Sequence, residues 1–276
     1  MASSFFTIIF NTVLQLVSLI GFIFVIGFML DFLQKQSVTY LYRTFNKKGY
    51  LVTAWIGTPI HEFGHVIMCL LFRHRIKKVQ WVPTRGDIHY LGFVEHSYNP
   101  RSLYQKIGNF FIGIGPFISG VVSLIILMYC FVPESYRLYT AYLENQVQPE
   151  QISLDMVKSV LLSSGVLFQS LFTIGNIVNP LFWLFIFFAI SISTHIALSK
   201  EDIKGAATGI SSVFIVLLTF NLLGAFFHFD SSKMISTLTS YHAYTMAFAS
   251  LAILFSCVTL CICFIIYIVM HKVKRR

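Results

Sequence analysis

Three residues within Leu51 to Phe72 have types and spacing suited to metal chemistry. His61, Glu62 and His65 form an H-E-x-x-H pattern inside an otherwise apolar run. Residues four apart share one face of a helix, so the two histidines can bind one metal ion. Glu62 is then placed to activate a water molecule at that ion. Polar groups are costly in hydrocarbon, which favours a functional site over a structural or degenerate motif.

The composition of the chain indicates an integral membrane protein. Of its 276 residues, 56% are hydrophobic and only 11% are charged. No soluble class needs so much apolar surface. The formal charge of +9 is typical of a multi-pass protein whose basic residues collect in cytoplasmic loops, and it predicts no nucleic-acid partner. The five cysteines lie in or beside apolar runs, with spacing that predicts neither disulfides nor a cysteine metal site.

The apolar runs predict an all-α polytopic membrane protein, built as one integral membrane domain over residues 1–276. We expect about six transmembrane helices. The predicted spans are 5–33, 51–72, 107–132, 179–198, 206–229 and 243–270. The first run has no basic leader and no cleavage site, so we expect it to be retained as a span. Its polar residues Asn11 and Gln15 are expected to contact neighbouring helices.

The segment 73–106, after the motif span, predicts a membrane-associated β-hairpin. KKVQWVPT and IHYLGFVEHSY are rich in strand-forming residues, with Pro83, Gly86 and Asp87 as turn residues between them. Two interpretations stay open at this point. The hairpin is either an ordinary surface feature or an edge strand that holds an extended substrate by β-addition. His89 and His96 are expected to be surface residues.

The charge distribution predicts the orientation in the membrane. Six spans put both termini on one side, and the loops on that side then carry more basic residues than the opposite loops. Because lysine and arginine collect in cytoplasmic loops, we expect a multi-pass protein of the cell membrane with both termini cytoplasmic.

A catalytic zinc site normally has three protein ligands, so a third must come from elsewhere in the chain. His195 lies near the end of the fourth predicted span and Asp202 follows that span, so both reach the same side of the bilayer as the motif. We favour Asp202 as the ligand and keep His195 as an alternative ligand or as a residue that supports one. Asp202 also has a structural interpretation, as a capping-box partner of Ser199. We expect the pair Gly205 and Gly209 to let this helix pack close to the motif helix.

The arrangement resembles a known family. An H-E-F-G-H motif at 61–65 in a membrane span is followed by a β-rich loop and by a span carrying a Gly-Pro step at 115–116. This resembles the site-2 protease family of intramembrane zinc metalloproteases, the M50-like peptidases. The resemblance covers roughly residues 51–209.

The resemblance implies that Zn²⁺ is bound by His61 and His65, that Glu62 is the general base, and that Asp202 takes the place of the family's third ligand. It implies hydrolysis of a peptide bond within or next to a transmembrane segment of a membrane-spanning protein or peptide. Two other functions remain: a zinc hydrolase of another membrane substrate, such as a lipid amidase, or a non-catalytic protease-like scaffold or transporter.

Overall fold

A computed structural model describes residues 2–82, 92–146, 154–231, 233–235 and 242–274 of the chain. Helices dominate it, with one small sheet between the second and third helices. The elements in chain order are α1 (Ala2–Phe45), α2 (Lys47–Leu71), β1 (Arg75–Gln80), β2 (Phe93–Ser97), α3 (Leu103–Phe131), α4 (Pro133–Gln146), α5 (Leu154–Leu171), α6 (Ile174–Ile177), α7 (Pro180–Ser193), α8 (Lys200–Phe227) and α9 (His242–Lys274).

Helices long and apolar enough to cross a bilayer support the prediction of a helical membrane protein. By length and composition there are four in the described part of the chain, within α1, α3, α8 and α9. The six predicted spans are therefore matched only in part. The span predicted at 179–198 is the 14-residue α7, about 21 Å long against a hydrocarbon core of about 30 Å. The span predicted at 51–72 is α2, whose polar motif lowers its mean hydropathy.

The first helix is longer than the sequence predicts. The predicted span ends at residue 33 and is followed by a polar stretch, the polar linker, but α1 is 44 residues long and includes this linker as far as Phe45. That length corresponds to about 66 Å, more than twice the thickness of the hydrocarbon core. Its far end packs on α9, where Tyr40 contacts Phe264 and Tyr267. The polar linker is helical because it packs on a neighbouring helix.

A polar contact joins α1 to α8, as expected for Gln15. The amide of Asn221 donates to Oε1 of Gln15 at 2.6 Å and to the hydroxyl of Thr12 at 2.8 Å. Asn11, the other polar residue predicted to contact a helix, is exposed. The network therefore fixes one face of α1 against α8.

Close packing of α2 on α3 positions the motif. A Cβ on Gly64 would collide with the carbonyl of Gly115, so the two backbones meet at these glycines. The hydroxyl of Ser119 donates to the carbonyl of Ile60 at 2.8 Å and ties α3 to the same turn of α2. The close approach of Gly64 and Gly115 therefore fixes the motif turn of α2 against α3.

The prediction for the glycine pair on α8 is wrong. A Cβ on Gly209 would collide with the backbone of Phe110, so this glycine packs against α3 and not against the motif helix. Gly205 has no other atom within 4 Å of a Cβ built on it. Helix α3 therefore lies between α2 and α8 over much of their length.

Strands β1 and β2 pair antiparallel, which confirms the hairpin. Gln80 pairs with Phe93 and Arg75 pairs with Ser97, with one irregularity of register between them. The observed strands are shorter than the predicted segments. Pro83, Gly86, Asp87 and His89 lie outside the described residues.

His96 is half-buried, which contradicts its expected place on the surface. Its Nδ1 lies 3.1 Å from Nδ1 of His74, and Nε2 of His74 donates to the carbonyl of Gln105 at 2.8 Å. A neutral His74 therefore accepts at Nδ1, and His96 is the donor between the two rings. Burial lowers the pKa of His74 and, together with His74, His65 and Lys77, lowers the pKa of His96 to about 4.

Candidate metal centre

Main-chain carbonyls fix both histidines of the motif. Nδ1 of His61 lies 2.8 Å from the carbonyl oxygen of His195, and Nδ1 of His65 lies 2.8 Å from that of Ile112. A carbonyl only accepts, so both Nδ1 atoms carry the hydrogen. Each neutral ring then has its lone pair on Nε2, the atom that a metal would bind. Histidine ligands are commonly oriented by a hydrogen bond of this kind.

The structure brings Asp202 to the two histidines. Its Oδ1 lies 3.0 Å from Nε2 of His65, and its Oδ2 lies 3.4 Å from Nε2 of His61. One ligand atom from each of the three residues falls within 4.8 Å of the others. Ligand atoms about 2.0–2.1 Å from a tetrahedral zinc stand about 3.3 Å apart. The group could therefore hold a metal ion with little rearrangement.

The electrostatics of the group fit a cation. Two Nε2 lone pairs face a carboxylate that is only 7% exposed, and these electron-rich atoms repel one another unless positive charge lies among them. A metal cation satisfies all three donors at once. Imidazole nitrogens and a carboxylate are ligands for several first-row metals, zinc among them.

The position of Asp202 is compatible with both interpretations that the sequence offers for it. The N–H of Ser199 donates to Oδ2 of Asp202 at 2.7 Å, and the N–H of Asp202 donates to the hydroxyl of Ser199 at 3.1 Å. This reciprocal capping box begins α8. The positive end of the helix dipole lies at the same turn and favours the carboxylate. The cap therefore holds the side chain that faces the histidines.

The ring of His195 does not join the donor group. Its Nε2 lies 3.1 Å from the hydroxyl of Thr53 on α2. A Cβ on Gly57 would lie 2.6 Å from atoms of the His195 side chain, so the close approach here depends on glycine. His195 contributes to the centre through its main-chain carbonyl, within a stretch, 191–198, that is buried throughout.

Glu62 is buried beside the donor group. It is 5% exposed, and its Oε2 has no hydrogen-bond partner among the described residues. Its side chain is covered by the hairpin, because a Cβ on Gly92 would lie 2.8 Å from Cγ of Glu62. A buried carboxylate with a free oxygen is able to accept a proton from a group that enters the centre.

Sequence reasoning missed three contributions to the centre. Ser119 ties α3 to the motif helix, and its place four residues after Gly115 could have suggested that it faces the same neighbour. No pattern in the sequence indicates that the carbonyl of Ile112 accepts from His65 or that Gly92 covers Glu62. Both contacts depend on how two distant elements pack against α2.

Comparison with known proteins identifies no relative: no protein-family model matches the chain, and no curated protein or solved structure matches it. The function of the chain is therefore inferred from its own residues and their geometry.

Proposed function

We propose that this chain is an intramembrane zinc metalloprotease that hydrolyses a peptide bond within or next to a transmembrane segment of a protein or peptide. The observation that carries the proposal is the convergence of His61, His65 and Asp202 beside a buried Glu62, one of whose carboxylate oxygens has no hydrogen-bond partner among the described residues. The resemblance of the H-E-F-G-H motif to that of site-2 proteases adds to it.

Zinc is the proposed metal because two imidazole nitrogens and one carboxylate are a common ligand set for catalytic zinc, which keeps a further position open. His61, His65 and Asp202 would hold it. Bound there, zinc would supply Lewis acidity that polarises the scissile carbonyl and lowers the pKa of a water molecule toward ~7.

Glu62 would be the general base and then the general acid. One carboxylate oxygen of Glu62 takes one proton from the attacking water as the water oxygen bonds to the scissile carbonyl carbon. When the carbon–nitrogen bond breaks, Glu62 returns that proton to the leaving amine. The products are a carboxylic acid and an amine, and Glu62 regains its starting charge.

The hairpin favours a peptide substrate over a lipid amide. A transmembrane helix must unwind before hydrolysis, since its own hydrogen bonds shield its carbonyls, and the unwound segment needs new backbone partners. In the described part of the chain the sheet has two strands, so each has one edge without a strand partner. Gly92, next to β2, packs on Glu62 and brings this sheet to the proposed base. An extended substrate can add to such an edge.

Placement in the cell membrane with both termini cytoplasmic is part of the proposal. The support for it is the excess of basic residues, including the tail HKVKRR, in the loops on the side of the termini when all six predicted spans cross the bilayer. The active site would then open toward the cytoplasmic half of the bilayer.

The test compares wild type with Glu62→Gln, and with Glu144→Gln as an exposed acidic control on α4. Each purified protein is assayed for bound metal and for cleavage of transmembrane peptides in lipid nanodiscs, with products read by mass spectrometry. We expect all three to bind one metal ion, and Glu62→Gln to lose about 10²–10⁴-fold in cleavage. Absence of bound metal from wild type would overturn the proposal. Cleavage of lipid amides but not of peptides would favour the second hydrolase function.

A further inference from the structure

Thr58 departs from the usual behaviour of a threonine in a helix of this protein. Six other helical threonines donate their hydroxyl to the carbonyl four residues earlier, at 2.7–3.0 Å. They are Thr12, Thr39, Thr44, Thr140, Thr219 and Thr259. Thr58 is 3% exposed, and its hydroxyl oxygen has no partner among the described residues. Leaving such a buried group unsatisfied is unfavourable, so its orientation calls for a function.

Thr58 and Glu62 are neighbours on the buried side of α2. They lie four residues apart and therefore share one face of the helix. Each has a buried side-chain oxygen without a hydrogen-bond partner in the described structure. Gly92 packs on both, since a Cβ on it would lie 2.7 Å from Cγ2 of Thr58 and 2.8 Å from Cγ of Glu62. The residue that leads into β2 thus covers both side chains.

We propose that Thr58 is a positioning residue that holds the base through one water molecule, an inference that rests on the proposed function. The hydroxyl of Thr58 donates to the water oxygen, and the water donates to Oε2 of Glu62. One bridging water satisfies both oxygens, and buried waters typically bond two to four polar groups. A water molecule is a better partner for these two oxygens than a substrate group, because Gly92 already packs on both side chains.

This contact has a specific consequence for catalysis. With Oε2 held by the bridging water, the other oxygen of Glu62 stays directed toward the donor group as the base. Thr58 itself touches neither the substrate nor the reacting atoms in this arrangement. Its loss should therefore lower kcat, through a misoriented base, and leave KM nearly unchanged.

The experiment compares Thr58→Val, which keeps the shape, with Thr58→Ser, which keeps the hydroxyl. Thr219→Val, on an exposed turn of α8, is the control. The first readout is kcat and KM for a transmembrane peptide. The second is the infrared carboxyl band of Glu62, recorded with and without metal. This band is assigned by its loss in Glu62→Gln. We expect Thr58→Val to lower kcat about tenfold with KM within about twofold, and to shift the band. Thr58→Ser should keep wild-type values of both.

Two outcomes would overturn the inference. In one, Thr58→Val has wild-type kcat and an unshifted band; in the other, Thr58→Ser is as impaired as Thr58→Val, which would assign Thr58 to packing alone. Thr58→Ala replaces the valine variant if that variant does not fold. If wild type shows no Glu62-dependent cleavage, the proposed function fails, and the infrared band still decides whether Thr58 contacts Glu62.

Discussion

His61 donates its Nδ1–H to the main-chain carbonyl of His195 across a distance of 2.8 Å. The two residues are 134 positions apart in the chain. His195, which the sequence offers as a metal ligand, instead orients the ring of His61 through its main-chain carbonyl. Any side chain at position 195 keeps that carbonyl, whereas the carboxylate at position 202 has no substitute.

The first prediction follows from this difference. Asp202→Asn should lose metal affinity by at least about 100-fold, because a neutral amide is a poor ligand, while the amide oxygen can still cap α8. His195→Ala should stay within about tenfold of wild type, because its carbonyl remains. Titration of apo protein with zinc under competition by a chelator measures both.

Glu201→Gln is the matched control, one residue before Asp202 and exposed. It should bind metal as wild type does. Equal loss of affinity in the asparagine and alanine variants would contradict the assignment of Asp202 as the third ligand.

The sequence alone predicts the part of the centre that depends on local periodicity. His61, Glu62 and His65 lie on one helix, so their arrangement follows from helical geometry. Helical geometry alone does not decide whether Asp202 or His195 is the third ligand. His195 lies two residues after the end of α7, and Asp202 lies in the first turn of α8. The distinction between them depends on a capping box and on the course of the chain before it.

The number of spans was harder to predict for a related reason. Apolar composition alone does not show whether a helix crosses the bilayer or ends within the protein. Helix α7 is as apolar as a span, yet it ends at Ser193, and the buried chain that follows supports His61. Tertiary contacts determine where α7 ends, and a hydropathy profile carries no information about such contacts.

The second prediction concerns the contact between α2 and α3. Gly64→Ala places a methyl group against the carbonyl of Gly115, so the helices must separate and the free energy of unfolding should fall by about 1–3 kcal/mol. Metal affinity should fall as well, because His65 is the next residue. Thermal unfolding in detergent and metal titration measure these two effects.

Gly205→Ala is the opposite case on α8. Nothing lies within 4 Å of the added methyl group, so the variant should be neutral or more stable by up to about 1 kcal/mol. If both variants changed stability equally, close approach at Gly64 would not be the cause.

The third prediction is a pH dependence at the base of the hairpin. The pKa of His96 is about 4 in the folded protein, against 6.5 for an unperturbed histidine. Below pH 6.5 the unfolded chain therefore binds more protons at this residue, and the free energy of unfolding decreases as the pH falls from about 6.5 to 4. Hydrogen exchange of the β1 and β2 amides across this range should show the loss of protection.

His96→Gln should flatten that pH dependence, because the amide can still donate to His74 but does not titrate. His271→Gln, at an exposed position near the end of α9, is the control and should leave the dependence unchanged. An unaltered pH profile in His96→Gln would assign the effect to other groups.

The donor set is divided between the early and the late parts of the chain, and this has a consequence for biosynthesis. A nascent polypeptide that has emerged only as far as α7 has both imidazoles of the motif but not the carboxylate of Asp202. Its metal-binding group is incomplete until the ribosome has translated the start of α8. Truncated products that stop before α8 would therefore lack Asp202 and, with it, the complete donor group.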